Sequence, residues 1–416
     1  MVESRLAAVN AHFPSNYNGR QVGAIRDDDV VIVGMARTAM TKAKRGAQRN
    51  TPLEDMLKVV FEAAIAKSKI PADKVDEVII GNVLAPGSAA TAIRMGMFLA
   101  GIPYSASCQG INRMCSSGLQ SVASIANAIK AGDIEIGIGG GVESMSNFDM
   151  QGQVDPNFIS EAVFESDTAR NCLIPMGMTS ENVAEKFGVT RATMDAFACT
   201  SHAKATAADK AGWLRSEITP YTTQVKDKEG EMSDVLVDRD EGMRPQTTVE
   251  SLGKLKPAFK KDGTTTAGNS SQITDGAACV MLARRDVAVK LGATIMGRIV
   301  SFSADGVPPE IMGIGPAAAI PHALEKAGLG IKDIDVFEIN EAFASQACYC
   351  AQKLEVPVEK LNPRGGAIAL GHPLGMTGAR MINTLFSELE RTQQKRGLVS
   401  MCIGTGMGAC GVFERE

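Results

Sequence analysis

The chain repeats itself, and this constrains its fold more than any single residue. Val75-Asp76-Glu77-Val78-Ile79-Ile80 is echoed by Ile334-Asp335-Val336-Phe337-Glu338-Ile339, an offset of 259 (334 less 75). Each segment follows an amphipathic helical stretch that ends in a short loop. Gly118 and Gly378, offset by 260 (378 less 118), stand within two further helical stretches. An apolar strand and a glycine cluster come after each, at 135–144 and 399–408. Residue-by-residue similarity is weak, but the near-constant offset argues against chance. Alternating strands and helices, duplicated in this way, predict an α/β fold of two related halves with buried sheets. They also predict a site between the halves, where both present strand ends and helix starts.

The repeat leaves two segments over. Residues 1–27 lack a core pattern and read as an N-terminal extension; Asp29-Val30-Val31-Ile32-Val33-Gly34 opens the first strand. Residues 145–273 are rich in Met, Thr, Asp and Lys, with helical stretches such as Ala192–Ala211 and no long apolar strand. They read as an inserted, more polar subdomain. The first half is then 28–144 with 274–294, and the second is 295–416. At 416 residues and 44% hydrophobic, the chain has material for two or three domains. A net charge of −4 with no basic block excludes nucleic acid as an expected partner, and the short, broken apolar runs predict no membrane span. Nine irregularly spaced cysteines with only four histidines suit reduced thiols better than disulfides or a zinc site, and no metal is expected.

Four segments carry candidate chemistry. Cys115 stands in Asn112-Arg113-Met114-Cys115-Ser116-Ser117-Gly118, ahead of Leu119, Val122, Ile125 and Ile129, which share one helix face. A cysteine at a helix start meets free N–H groups and the helix dipole, which predicts a thiol pKa lowered into the range ~3.5–7.5. Asn340 directly follows the strand 334–339, where a carboxamide can hold a water or a carbonyl oxygen. His372 is held between Gly371 and Pro373 in a glycine-rich loop that fixes its imidazole in space. Cys402 precedes Gly404-Thr405-Gly406-Met407-Gly408, whose spacing is not that of a dinucleotide loop. Each has a structural reading on its own: a core thiol for either cysteine, a helix cap for Asn340, a turn residue for His372. Together they suit Claisen chemistry beside a thioester. One thiolate attacks a carbonyl, the imidazole takes its proton, a second thiol shuttles protons, and glycine amides with the Asn supply oxyanion donors.

From about residue 28 to 416 the chain resembles the thiolase family, and within it the degradative 3-ketoacyl-CoA thiolases of peroxisomes. The resemblance rests on NRMCSSG, GVESMS (141–146), CLIPMGMTSENVAE (172–185), ESLGKLKPAF (250–259), TAGNSSQITDGA (266–277), EINEAFASQ (338–346), NPRGGAIALGHPLGMTGAR (362–380) and CIGTGMG. It implies duplicated halves layered α-β-α-β-α, with 145–273 as a coenzyme A-binding loop subdomain. Cys115 would be the acylated nucleophile and His372 its activator. Cys402 would protonate the leaving acetyl-CoA enolate and deprotonate incoming coenzyme A. His372 and a water held by Asn340 would form one oxyanion hole, and the backbone N–H groups of Cys115 and Gly404 the other. Arg244 and Ser251 would lie near the nucleotide end of coenzyme A, and Ser271 near its pantetheine. Coenzyme A would be a co-substrate, with no permanently bound cofactor, and the protein a homodimer.

Two departures refine the match. Ser270 stands where the family commonly has Ala, a small change. Pro175 replaces the His of short-chain acetoacetyl-CoA thiolases, which favours a broad-chain degradative enzyme. Asn340 likewise disfavours the mitochondrial trifunctional and sterol-carrier types, which have His there. The alternatives are an acetoacetyl-CoA thiolase, a decarboxylating ketoacyl-synthase-like enzyme, which would use a second His in place of Cys402, and a non-catalytic acyl-CoA-binding protein. Arg5, Leu6, Val9, His12 and Phe13 share one helical face. This stripe resembles the N-terminal peroxisomal targeting nonapeptide, which implies an import receptor as partner and the peroxisomal matrix as location.

Overall fold

In the computed structural model, which describes residues 24–150, 154–227 and 229–416, largely continuous apolar and glycine runs build one mixed sheet of ten strands. The first half contributes β1 (Val30–Arg37), β2 (Thr41–Lys42), β3 (Glu77–Gly81), β4 (Ser107–Ile111) and β5 (Ile136–Ser144). After a hairpin of β6 (Tyr221–Lys226) and β7 (Met232–Val237) comes β8 (Thr274–Arg284). The second half contributes β9 (Gly297–Gly306), β10 (Val336–Ile339), β11 (Arg396–Ile403) and β12 (Met407–Arg415). The strand order is β10-β11-β12-β9-β1-β8-β5-β3-β4, with β2 on β8.

Pairing repeats along with sequence. β3 runs parallel to β5 with Glu77 opposite Gly137, and β10 runs parallel to β11 with Val336 opposite Gly397. β5–β8–β1 are successively antiparallel, as are β11–β12–β9. The half-sheets join through Val31–Arg298 and Ile32–Gly297.

Both faces of each half-sheet are buried. Val78 and Ile80 pack with Leu57, Val60 and Phe61 of helix Leu53–Ser68, while Ile79 faces the other way, toward Leu119 and Val122 of helix Ser117–Ala131. In the second half Phe337 and Ile339 join Ala319 and Ile320 of helix Gly315–Ala327, while Val336 joins Ile382 and Leu385 of helix Thr377–Thr392. Helices Ser117–Ala131 and Thr377–Thr392 thus form a shared middle layer, which gives the order α-β-α-β-α. The repeated glycines explain how they cross. A Cβ on Gly118 would lie 2.4 Å from the Gly375 carbonyl oxygen, and one on Gly378 would lie 2.3 Å from the Leu119 nitrogen. Only glycine lets the backbones approach so closely.

Between β5 and β8 the chain forms helices Met176–Phe187, Arg191–Lys210 and Val249–Gly253 besides the β6–β7 hairpin. Buried ion pairs hold this segment to both halves. Arg37 of β1 donates to Glu217 at 3.0 Å and to Asp240 at 2.9 Å, and Arg364 donates to Glu217 at 2.6 Å and Glu388 at 2.9 Å. Removing one partner from such a buried set leaves an uncompensated charge. Residues 24–27 touch the body: Arg298 donates to the Ala24 carbonyl at 2.6 Å, and the Asp286 N–H to that of Asp27 at 3.1 Å. The stripe Arg5, Leu6, Val9, His12 and Phe13 lies outside the described residues. Among the described residues no helix is long and apolar enough to cross a membrane.

Candidate active site

Cys115 sits in the turn between β4 and helix Ser117–Ala131, where Met114 adopts a φ of 46°. Local side chains hold the turn. Asn112 Oδ1 accepts from the Met114 N–H at 2.8 Å, while Ser117 Oγ accepts from Arg113 N–H at 2.9 Å and donates to the Met114 carbonyl at 2.7 Å. The Cys115 side chain is buried, and its sulfur accepts from the N–H of Gly404 and from its own N–H. Burial pushes the thiol up to about 11; the Gly404 and Cys115 N–H groups pull it down, and the Glu143 charge pushes it up further. This reverses the lowered pKa expected from the helix start. Two N–H groups and a dipole end do not replace the water a thiolate loses on burial.

Gly404 heads the turn between β11 and β12, continued by Thr405 (φ 68°) and Gly406 (φ 95°). Cys402 is the penultimate residue of β11, opposite Gly408 on β12, and is fully buried against Met312 and Ala342. Burial first, then the Cys115 and Cys350 sulfurs, push its thiol well above the ordinary range.

His372 is oriented from both sides. Its N–H donates to the Gln272 carbonyl at 2.9 Å, and Nδ1 lies 2.6 Å from Thr377 Oγ1, which itself donates to the Pro373 carbonyl at 2.8 Å. With the hydroxyl proton so committed, Nδ1 carries the ring proton and Nε2 is the free base. Nε2 faces Asn340 Nδ2 at 3.3 Å. Burial, with the Arg380 charge behind it, pushes His372 down to about 3. Asn340 is no helix cap: the following helix, Ala344–Lys353, is entered through Phe343. Its N–H donates to Ser400 at 2.9 Å, and its Oδ1 is buried with no partner among the described residues.

The two groups adjoin because the loop after His372 rests on the helix after Cys115, at Gly375 and Gly118. Cys115, Gly404, Cys402, His372 and Asn340 are therefore gathered where the halves meet. Ser271 borders them: it is half-buried, its N–H donates to the Ala342 carbonyl at 3.0 Å, and it precedes Gln272, which holds His372. Arg244 and Ser251 lie on the outside of the inserted segment. The Arg244 N–H donates to His202 Nδ1 at 3.3 Å, and Ser251 closes a capping box with Thr248. Sequence reasoning missed Thr377 and Glu143. Glu143 is buried and accepts four N–H groups, three from residues 82–84 of its own half and one from Gly375 of the other. A carboxylate near the end of a glycine strand, inside GVES, was the available signal. Among the described residues no group of three or more His, Cys, Asp or Glu could hold a metal.

The family models "Thiolase, N-terminal domain" and "Thiolase, C-terminal domain" match residues 30–286 and 293–415. The rat protein "3-ketoacyl-CoA thiolase A, peroxisomal" is 54% identical over 387 residues, which are 93% of this chain and 88% of that one. The crystal structure of the dimeric peroxisomal thiolase of Saccharomyces cerevisiae superimposes with a TM-score of 0.86 at 47% identity, covering 95% of this chain and 99% of that one. The human mitochondrial 3-ketoacyl-CoA thiolase solved in complex with CoA gives a TM-score of 0.83 at 37% identity, covering 94% and 98%.

Proposed function

The chain belongs to the thiolase family, and we propose that it cleaves 3-ketoacyl-CoA with coenzyme A to acetyl-CoA and a shortened acyl-CoA in fatty acid β-oxidation. The observation that carries this reading is the pairing of two buried thiols. Cys115 is held by the Gly404 N–H, and Cys402 is close enough to be pushed up by it. One sulfur can carry an acyl group while the other moves a proton. The second thiol in place of a second imidazole also argues against a ketoacyl-synthase-like enzyme.

His372 Nε2 takes the Cys115 proton as the sulfur adds to the C3 carbonyl. A thiol near 11 and an imidazole near 3 are neutral at rest. A separated ion pair would be costly in this buried site, so proton transfer accompanies attack. The C2–C3 bond then breaks, and its electron pair forms the acetyl-CoA enolate, which Cys402 protonates. The enolate oxygen lies against protonated His372 and a water held by Asn340. Coenzyme A next loses its proton to the Cys402 thiolate and attacks the acyl group on Cys115. The tetrahedral oxygen rests on the Cys115 and Gly404 N–H groups, two fixed donors aimed where negative charge develops. Collapse releases acyl-CoA and returns the proton to Cys115.

Residues 145–273 form the coenzyme A subdomain in this reading. Ser271, at the rim of the site, lies beside the pantetheine, and Arg244 and Ser251 meet the nucleotide end. The protein is a peroxisomal homodimer with coenzyme A as ligand, as the compared proteins' names and structures support. Its targeting signal is the Arg5-Leu6 to His12-Phe13 stripe, read by an import receptor. A thiolysis assay over a chain-length series, with coenzyme A as co-substrate, tests the reading. Cleavage of C4 and longer 3-ketoacyl-CoA is expected; cleavage of C4 alone would move the assignment to an acetoacetyl-CoA thiolase.

A further inference from the structure

Glu143 is the penultimate residue of β5, with its side chain fully buried. Oε1 accepts from Asn82 Nδ2 at 3.0 Å and Leu84 N–H at 3.2 Å; Oε2 accepts from Val83 N–H at 3.1 Å and Gly375 N–H at 2.9 Å. All four partners only donate. A protonated acid would bring an O–H, and an amide an NH2, against groups that accept nothing. Burial outweighs the opposing pull of the four N–H groups and leaves the acid raised to about 7. Geometry nonetheless asks for the ionised carboxylate, held by charge-assisted bonds.

One of these bonds, from Gly375, crosses between the halves. Asn82, Val83 and Leu84 follow β3 in the first half, and Asn112, in the Cys115 turn, donates to the Val83 carbonyl at 3.2 Å. Gly375 belongs to the second-half loop between His372 and Thr377. Its carbonyl is pressed from the other side: a Cβ on Gly118 would lie 2.4 Å from it, and one on Gly141 1.8 Å. The loop that carries the base is thus gripped through its N–H by Glu143 and stopped through its carbonyl by two glycines.

We infer that Glu143 is a positioning residue, locking the His372 loop of one half onto the half that carries Cys115 so that base and nucleophile stay in register. This rests on the roles proposed for Cys115 and His372. The test is the first-order rate of Cys115 acylation in a single turnover, which does not depend on how much enzyme is folded. A misplacement near 1 Å costs on the order of 10²-fold. Glu143→Gln should slow acylation by about that factor with KM for 3-ketoacyl-CoA nearly unchanged, and Glu143→Asp should recover part of the rate. An acylation rate within threefold of the parent in folded Glu143→Gln would overturn the inference, whatever happens to its melting temperature. If Glu143→Gln does not fold, Glu143→Asp decides: a drop of about tenfold or more supports the claim, and a parental rate overturns it. Cys115→Ala is run alongside. If that variant still acylates, the roles assigned to the site are wrong; if it does not and Glu143→Gln is normal, only the positioning claim falls.

Discussion

His372 is neutral in the folded protein because burial and then the Arg380 charge both disfavour its charged form, and this can be read from stability. In the unfolded chain its pKa is ~6.5; folded, it is pushed down to about 3. The unfolded state therefore binds the extra proton first. The stability the neutral ring contributes is complete above pH ~6.5 and is lost as pH falls toward about 3. Between pH ~7 and ~5 the loss should be about 2 kcal/mol, and His372→Gln should lack it in urea unfolding at the two pH values. An equal loss in both proteins would place a charged imidazole in the fold. For catalysis, Cys402→Ala should still acylate Cys115 but lose ~10²–10⁴-fold in turnover as the proton shuttle goes. Asn340→Ala should cost on the order of 10²–10³-fold through its oxyanion donor. Near-normal turnover in either variant removes that residue from the mechanism. The identities of these residues were legible in sequence because each stands in a distinctive glycine-rich or strand-end context. Their protonation states were not. A helix start is visible in a run of letters, whereas the burial that overrides it comes from core residues such as Leu374 and Ile403, remote in sequence.

At the scale of elements, the helix pair Ser117–Ala131 and Thr377–Thr392 decides whether the site is assembled. In an exposed helix Gly→Ala stabilises by ~1 kcal/mol. Here the new Cβ would sit 2.4 Å from the Gly375 oxygen or 2.3 Å from the Leu119 nitrogen. Backbone cannot swing aside as a side chain can, so a cost of ~1–3 kcal/mol or more should win. Gly118→Ala and Gly378→Ala should each lower the melting temperature and the acylation rate; a rise in melting temperature would contradict the crossing. The repeat announced both glycines and both half-sheets, because buried strands and helix faces leave periodic patterns. The ion pairs from Arg37 and Arg364 to Glu217 left none, since partners so distant along the chain carry no local mark. Arg244 and Ser251 came from motif resemblance alone: Ser251 bonds only within its own cap, and the Arg244 N–H reaches His202, 42 residues away.

At the scale of the whole molecule, two related halves are needed to make one site: Cys115 comes from the first, and His372, Asn340, Cys402 and Gly404 come from the second. The N-terminal stripe lies outside the described residues, the first of which, Ala24, accepts a hydrogen bond from Arg298. Residues 1–23 fused to a cytosolic fluorescent protein should carry it to peroxisomes, and Arg5→Ala with His12→Ala should abolish this. A diffuse reporter in cells with a working receptor would remove the targeting assignment. The central claim is that the halves together put an acyl group on one sulfur. Intact-mass measurement with peptide mapping, after 3-ketoacyl-CoA is added without free coenzyme A, tests it most directly. The account predicts a single acyl adduct per chain, on Cys115. An adduct on Cys402 alone, or none while thiolysis proceeds, would contradict it.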